Sequence, residues 1–144
     1  MARVAGLMPR VSASNLLALS DEQLRGAGLS RQKIEYTRHL AEELHSGRLK
    51  LNQLARMDDA DAIARLQQLR GIGRWSAEIY LMFSLGRGDI FAADDLALRV
   101  ALGRMKSTAA VPTAKEARAL TEDWAPWRSA GSLFLWKYYR HSDN

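Results

Sequence analysis

The sequence predicts an all-α protein. Apolar residues recur at intervals of three and four along most of the chain, and few segments are rich in β-branched residues. The 144 residues fit a single domain, residues 1–144, and 47% hydrophobic residues suffice for a core, which excludes disordered and fibrous classes. Met1 to Val11 has no periodicity and contains Pro9, so it is predicted to be an irregular lead-in.

In the first half of the chain, caps and glycines separate the helices. Ser20 followed by Gln23 matches a capping box, and Ser30 can cap the next helix, which carries an apolar stripe and ends at Gly47. The helices predicted in this half span, in chain order, about 14–19, 21–26, 31–46, 51–56 and 58–68.

The second half begins with a glycine hairpin at about 69–75 and continues with further helices. One of these ends at Gly86, the next begins after Asp94-Asp95, and Thr113 with Glu116 is a second capping box. The helices predicted here span about 75–85, a segment from 96 onward, 114–124 and 129–140, the last carrying Leu133, Phe134 and Trp136.

The composition limits the kinds of partner and of binding site that the protein can have. A net charge of +5 and a pI near 9.9 favour an anionic partner such as nucleic acid. The absence of Cys excludes disulfides, thiolate zinc sites and cysteine-held iron–sulfur clusters. No apolar run approaches the roughly 20 residues of a membrane span and no signal peptide is recognisable, so we expect a soluble intracellular protein without a membrane partner.

Gly71 and Gly73 flank one apolar residue between two predicted helices. The glycines permit a tight turn, and the backbone N–H groups of the turn and of the next helix N-terminus can then bind a phosphate, reinforced by Arg70 and Arg74. Taken alone, the same pattern is also explained by a tight connection between two helices without any ligand.

Asp94 and Asp95 stand where a helix should begin. A helix cap explains one of the two carboxylates, and the other could face a pocket and stabilise a cationic transition state. The chain also has four Trp residues, which are either core residues or an aromatic pocket that stacks a nucleobase: Trp75, Trp124, Trp127 and Trp136.

Three motifs together resemble the bacterial 3-methyladenine-DNA glycosylase II group of the helix-hairpin-helix DNA glycosylase superfamily. They are residues 71–77 (GIGRWSA), residues 89–99 (DIFAADDLALR), and residues 124–129 (WAPWRS) with Trp136. The resemblance covers about 16–140. It implies a helix-hairpin-helix glycosylase fold that binds damaged double-stranded DNA, flips an alkylated base out of the stack and hydrolyses its N-glycosidic bond.

The resemblance also implies roles for individual residues. Asp95 matches the catalytic aspartate and Asp94 its neighbour and a candidate helix cap; Arg99, four residues after Asp95, favours this choice, whereas a spacing of five would favour Asp94. Trp75 and Trp136 match positions that border the flipped base, and Trp124 and Trp127 are assigned to structure. The hairpin residues that would bind the DNA phosphate are Leu69, Arg70, Gly71, Gly73 and Arg74.

The reaction type depends on one position of the resemblance. Branches that also cut the DNA strand carry a Lys directly after the hairpin's Gly-x-Gly-Arg, because an amine forms a Schiff base with the sugar. Trp75 stands there, so we expect a monofunctional enzyme that leaves an abasic site. No cofactor or protein-bound metal site is expected, apart from a monovalent cation that some relatives hold at the hairpin.

The resemblance is incomplete at the N-terminus. Relatives carry about two further helices upstream of the segment that matches Leu16 to Leu19, including the apolar wedge that fills the gap left by the flipped base. Without them we expect an exposed apolar patch through which the chain self-associates. The alternative to a cytoplasmic, nucleoid-associated bacterial glycosylase is therefore a truncated, non-catalytic helix-hairpin-helix module that only binds DNA.

Overall fold

A computed structural model describes residues 2–141, which form helices joined by short loops and contain no strand. None of these helices is long and apolar enough to cross a membrane. The ten α-helices of this part of the chain are α1 (Ala2–Ala5), α2 (Ala13–Leu17), α3 (Asp21–Gly26), α4 (Arg31–His45), α5 (Leu51–Leu54), α6 (Asp59–Gln67), α7 (Arg74–Phe83), α8 (Leu96–Lys106), α9 (Ala114–Leu120) and α10 (Arg128–His141). A short 3₁₀ turn, Glu122–Trp124, follows α9.

The predicted caps are present. Ser20 and Gln23 form a reciprocal capping box at α3, and Thr113 and Glu116 form another at α9. Ser30 accepts a hydrogen bond from the backbone N–H of Lys33 at the start of α4. These local bonds satisfy N–H groups that a helix N-terminus leaves unpaired, which is why the sequence located these helix starts correctly.

The chain divides into two compact units. Unit 1 comprises residues 1–57 and 67–72, and unit 2 comprises residues 58–66 and 73–144. The sequence analysis treated residues 1–144 as one domain; the division falls within the helix α6 and at the glycine hairpin. Each unit has its own buried apolar cluster.

Unit 1 is built around Leu24, which is completely buried. Its cluster also contains Met8, Leu19 and Ile34, with Val4, Leu16 and Leu29 packed at its edge. Met8 and Val4 lie in the predicted irregular lead-in, which in fact contains the helical turn α1 and contributes to this core. The prediction missed this turn because four residues are too few to show an apolar period.

Arg38 of α4 joins α4 to the chain segment between α2 and α3. Its guanidinium donates to Asp21 Oδ1 at 2.7 Å and to the Leu19 carbonyl oxygen at 2.8 Å. Because each interaction involves a charged donor, the two fix the start of α3 against α4 more firmly than neutral hydrogen bonds would.

Unit 2 is organised around α8 and α10, which pack against each other. Its buried cluster takes residues from the loop before α8 and from α8, α9 and α10: Phe91, Ala92, Ala93, Leu98, Ala101, Leu102, Ala117 and Leu135. Small alanines on facing elements allow the helices and the 91–93 segment to approach closely. The segment that precedes Asp94-Asp95 is therefore part of the core.

The residues that α10 buries are not the apolar residues that the sequence analysis named for this helix. Leu133 and Phe134 are exposed, whereas Ser129, Ser132 and Leu135 are buried. Ser129 Oγ donates to the Arg87 carbonyl at 2.6 Å and accepts from Ile90 N at 3.0 Å. Serines occupy this face because the loop between α7 and α8 supplies polar backbone groups that require partners.

Candidate active site

The glycine turn in unit 1 has the conformation that the sequence predicted. Gly71 adopts φ +81°, and Ile72 N donates to the Leu69 carbonyl at 3.2 Å. The ring of Tyr36 occupies the space where a Cβ on residue 71 would lie. Leu69 is buried, whereas Arg70 and Gly71 are exposed. Gly71 is thus required both by its backbone conformation and by its contact with an aromatic ring.

Helix α7 of unit 2 begins directly after this turn. Gly73 is its N-cap residue, has an extended backbone and supplies no side chain to accept hydrogen bonds from the first-turn N–H groups. Those groups therefore face solvent or an anion. Arg74 is half exposed and its Nε donates to Glu78 Oε1 at 2.9 Å, so part of its guanidinium is already committed to a neighbouring acid.

Asp95, not Asp94, caps α8. The helix begins at Leu96, and Asp95 Oδ1 accepts from Leu98 N at 3.0 Å. The prediction that Asp94 is the helix cap is therefore wrong, because the cap is the residue immediately before the first helical residue. Asp94 Oδ2 instead accepts from Arg118 Nη2 at 3.0 Å.

Trp75 and Asp95 are in direct contact although they lie on different elements. The indole Nε1 of Trp75 donates to Asp95 Oδ2 at 3.1 Å. Trp75 remains 45% exposed and Asp95 is partly buried, so solvent or a ligand can reach both groups. Two residues that the sequence analysis selected for separate reasons thus form one unit, a carboxylate beside an aromatic face.

Trp136 of α10 contacts the end of α7. Phe83, two turns after Trp75 on α7, stacks on Trp136 with ring centroids 5.9 Å apart. Ile79 lies between Trp75 and Phe83 on this face and is partly buried. The sequence analysis missed Phe83, whose spacing of eight residues from Trp75 was the signal that could have found it.

The other two tryptophans differ from each other. Trp124 packs edge-on against Phe91 with centroids 6.1 Å apart, and its ring fills the space beside Gly131. Its assignment to structure is confirmed. The same assignment for Trp127 is wrong, because this side chain is 71% exposed. The sequence of residues 124–129 does not show which of Trp124 and Trp127 is exposed. These residues lie at a turn, where an apolar helical period gives no information about burial.

Arg118 of α9 is a polar residue that the sequence analysis did not single out. It donates to Glu78 Oε1 at 2.8 Å, to the Phe91 carbonyl at 3.1 Å and to Asp94 Oδ2 at 3.0 Å. Glu78 is 1% exposed and is one of the few acidic or polar side chains buried in the described part of unit 2. Sequence alone offers no signal for this network, because its partners lie far apart along the chain.

Two clefts of unit 2, with volumes of about 440 and 260 Å³, are lined by residues other than Trp75, Asp95 and Trp136. The exposed ring of Trp75 beside Asp95, together with the stacked rings of Phe83 and Trp136, is here called the aromatic surface. Within residues 2–141, His, Asp and Glu side chains form no group of three that could hold a metal ion.

Similarity to known proteins identifies the class to which this chain belongs. Residues 1–126 match the model of the HhH-GPD superfamily of base excision DNA repair proteins. The chain belongs to this superfamily, in which HhH denotes the helix-hairpin-helix.

Individual relatives are similar along most of this chain. DNA-3-methyladenine glycosylase 1 of Schizosaccharomyces pombe is 36% identical over 123 residues, which are 85% of this chain and 54% of that protein. The crystal structure of DNA-3-methyladenine glycosidase from Bacillus halodurans has a TM-score of 0.85 at 35% identity, covering 96% of this chain and 64% of that one. The Schizosaccharomyces pombe enzyme Mag1 in complex with abasic DNA has a TM-score of 0.86 at 31% identity, covering 94% and 68%.

The chain spans about half the length of the curated relatives that it matches, with 54% and 42% of two of them covered. The match includes the hairpin, the Asp94-Asp95 turn and the start of the 124–129 motif.

Proposed function

We propose that this chain carries the base-releasing machinery of a monofunctional DNA glycosylase that acts on alkylated purines such as 3-methyladenine. The observation that carries the proposal is the hydrogen bond from Trp75 to Asp95 at 3.1 Å, which joins an accessible aromatic face to a carboxylate. The superfamily match and the names of the similar relatives support this function.

Asp95 is proposed to act on the sugar. As the N-glycosidic bond breaks, its electron pair leaves with the base and positive charge develops on the sugar as an oxocarbenium ion, which a nearby carboxylate stabilises. A water molecule then forms the new C1′–O bond and gives up a proton, for which Asp95 is the nearest base in this proposal. The products are the free base and an abasic site.

The aromatic surface is proposed to select the base. An alkylated purine such as 3-methyladenine carries positive charge, and the electron-rich faces of Trp75 and Trp136 attract a cationic ring more strongly than a neutral one. The positive charge also makes the base a good leaving group, so the protein need not protonate it. This selection requires no reading of the surrounding DNA sequence.

Double-stranded DNA is the proposed partner, with the hairpin as its phosphate contact. Gly71 and Gly73 allow the backbone to approach a phosphate closely, and Leu69 anchors the turn in the core. Arg70 is exposed and, within residues 2–141, has no acidic partner, so its charge is available to DNA. Arg74, whose Nε donates to Glu78, is proposed to add a second positive charge for DNA.

The hairpin is also proposed to take a monovalent cation. Residues 69–73 include no acidic side chain, so the ligands would be backbone carbonyl oxygens, which suit a hard, weakly bound ion rather than a transition metal. Such an ion would supply positive charge next to a DNA phosphate. DNA affinity measured at constant ionic strength should then be higher with potassium than with a bulky organic cation.

Self-association is proposed through exposed apolar side chains of unit 2. Phe83, Leu133 and Phe134 are 61%, 51% and 56% exposed, and contact with a second copy would remove this apolar area from water. Sedimentation velocity over a roughly hundredfold range of protein concentration tests this proposal. A sedimentation coefficient that stays at the monomer value over the whole range would contradict it.

The decisive test of the function is the release of free base. The protein is incubated with duplex DNA treated with a methylating agent and with the same untreated duplex, and released 3-methyladenine is quantified by mass spectrometry. Release from the treated duplex alone supports the proposal. DNA binding with no released base would instead favour the non-catalytic binding module.

A further inference from the structure

Glu78 is a buried acid that cannot remain charged without partners. Its side chain is 2% exposed, and its Oε1 accepts from Arg74 Nε at 2.9 Å and from Arg118 Nη1 at 2.8 Å. Removal of a carboxylate from water is costly unless cations and hydrogen bonds compensate it. Glu78 therefore holds Arg118 in a fixed position against α7.

Arg118 then extends from Glu78 to the loop before α8. Its Nη1 donates to the Phe91 carbonyl at 3.1 Å and its Nη2 donates to Asp94 Oδ2 at 3.0 Å. The loop is itself tight, because Ala93 N donates to the Phe91 carbonyl at 2.8 Å and Asp95 N donates to the Ala92 carbonyl at 2.9 Å. A shift of this loop would displace Asp95 with it.

Two bridges thus connect α7 to the Asp94-Asp95 turn. The first is direct, from Trp75 to Asp95; the second runs from Glu78, three residues after Trp75, through Arg118 to Asp94. Asp94 and Asp95 are therefore each connected to α7, by two separate sets of hydrogen bonds.

We propose that Arg118 is a positioning residue that holds Asp95 within hydrogen-bond distance of the Trp75 indole. It does so through Glu78 on one side and through Asp94 and the Phe91 carbonyl on the other. Its importance for base release rests on the proposed function, whereas its effect on the Trp75–Asp95 contact does not.

Lysine cannot replace arginine in this position. The planar guanidinium reaches three acceptors, one on α7 and two in the loop before α8, with donors in fixed directions. An ammonium group on a flexible chain is instead a single point charge. Arg118→Lys keeps the charge beside Glu78 and removes the bridge. This variant therefore separates positioning from simple charge compensation.

The test observes the Trp75 indole N–H by NMR. The four tryptophans give four indole signals, and the Trp75→Phe variant identifies the signal of Trp75. In Arg118→Lys we expect exchange of this proton with water to accelerate about tenfold, and single-turnover base release to slow about tenfold with little change in DNA affinity. An Arg118→Lys protein that folds and leaves Trp75 exchange unchanged overturns the proposal.

Arg38→Lys is the matched control. Arg38 also joins a carboxylate and a backbone carbonyl, at 2.7 and 2.8 Å, but in unit 1. Its substitution should leave Trp75 exchange and the rate of base release unaltered. An equal effect of Arg38→Lys would show that loss of any arginine bridge loosens the contact, and would overturn a specific role for Arg118.

A second variant covers the case in which Arg118→Lys does not fold. Asp94→Ala removes only the last bond of the bridge and leaves Glu78 compensated; it should accelerate Trp75 exchange, and an unchanged rate would contradict the proposal. If the wild-type protein releases no base while Trp75 exchange responds as expected, the proposed function fails and the positioning role of Arg118 stands.

Discussion

The indole nitrogen of Trp75 and the carboxylate of Asp95, 20 residues apart in sequence, are joined by a hydrogen bond of 3.1 Å. Asp95 uses its other oxygen to cap α8. Both oxygens of the carboxylate are thereby oriented, which fixes the direction of its remaining lone pairs. An oriented carboxylate needs little reorganisation when charge develops next to it.

Removal of the Trp75 donor should slow base release without abolishing it. Trp75→Phe retains an aromatic face but loses the indole N–H and the second ring. We expect the single-turnover rate to fall by the contribution of one hydrogen bond to a charged group, about 1.5–3 kcal/mol or roughly 10- to 160-fold. DNA affinity should change little. Trp127→Phe, at a tryptophan that is 71% exposed, is the control and should match the wild-type rate.

The hairpin glycine should be intolerant of a methyl group. Gly71→Ala must adopt φ +81° and displace the Tyr36 ring, which together should destabilise unit 1 by about 2 kcal/mol or more. Urea unfolding measures this loss, and DNA affinity should fall with it. Gly26→Ala in the same unit meets no atom within 4 Å and should be neutral or stabilising. Equal stability of the two variants would contradict the account.

The stability that Asp89 gives to unit 2 should be lost only in strongly acidic solution, below about pH 4. Hydrogen bonds from the Arg128 guanidinium, both 2.6 Å, hold the pKa of Asp89 below its ordinary value of 3.8. Because the folded-state pKa is the lower one, this stabilisation is complete above the unfolded-state pKa and is lost as the pH falls through the folded-state pKa.

Asp89→Asn should therefore have a free energy of unfolding lower than that of the wild type by on the order of 1 kcal/mol at pH 7. This difference should become smaller below about pH 4. Urea unfolding at a series of pH values measures it. Asp123→Asn, at an exposed acid of the same unit, serves as control. If the difference in the free energy of unfolding between the wild type and Asp89→Asn stayed constant down to about pH 2.5, the Asp89 carboxylate would not be the titrating group.

The reaction should leave no covalent trace on the protein. Trp75 follows the hairpin arginine at the position where a Schiff-base mechanism needs an amine, so borohydride should trap no protein–DNA adduct during base release. A lyase known to form such an adduct provides the positive control in a denaturing gel. A trapped adduct would show that this protein is not monofunctional.

The sequence predicted the helices well because their starts depend on local chemistry. Ser20, Ser30 and Thr113 each bond to backbone groups within three residues, and such signals are readable along the chain. The helical turn α1 was missed because its four residues are too few to show an apolar period, although Val4 packs at the edge of the Leu24 cluster.

The sequence predicted individual residues of the candidate site but not the hydrogen bonds that join them. Trp75 and Asp95 were chosen from motif positions, whereas their hydrogen bond could only be seen in three dimensions. Arg118 was missed because Glu78 and Asp94 lie 40 and 24 residues away from it. Asp94 was misassigned as the cap, since the first helical residue decides which of two adjacent acids takes that role.

The catalytic role of Asp95 is tested by comparing Asp95→Asn with Asp94→Asn. Each substitution removes one negative charge from the same turn and keeps an oxygen that accepts hydrogen bonds. Single-turnover release of 3-methyladenine from methylated duplex DNA is measured for both proteins and the wild type, with DNA binding measured in parallel.

We expect Asp95→Asn to lose about 100-fold or more in rate, the scale of a lost electrostatic stabiliser, while DNA binding persists. Asp94→Asn, which retains an acceptor for Arg118, should lose less than about tenfold. If Asp94→Asn were the inactive protein and Asp95→Asn released base at the wild-type rate, the assignment of Asp95 as the catalytic group would be wrong.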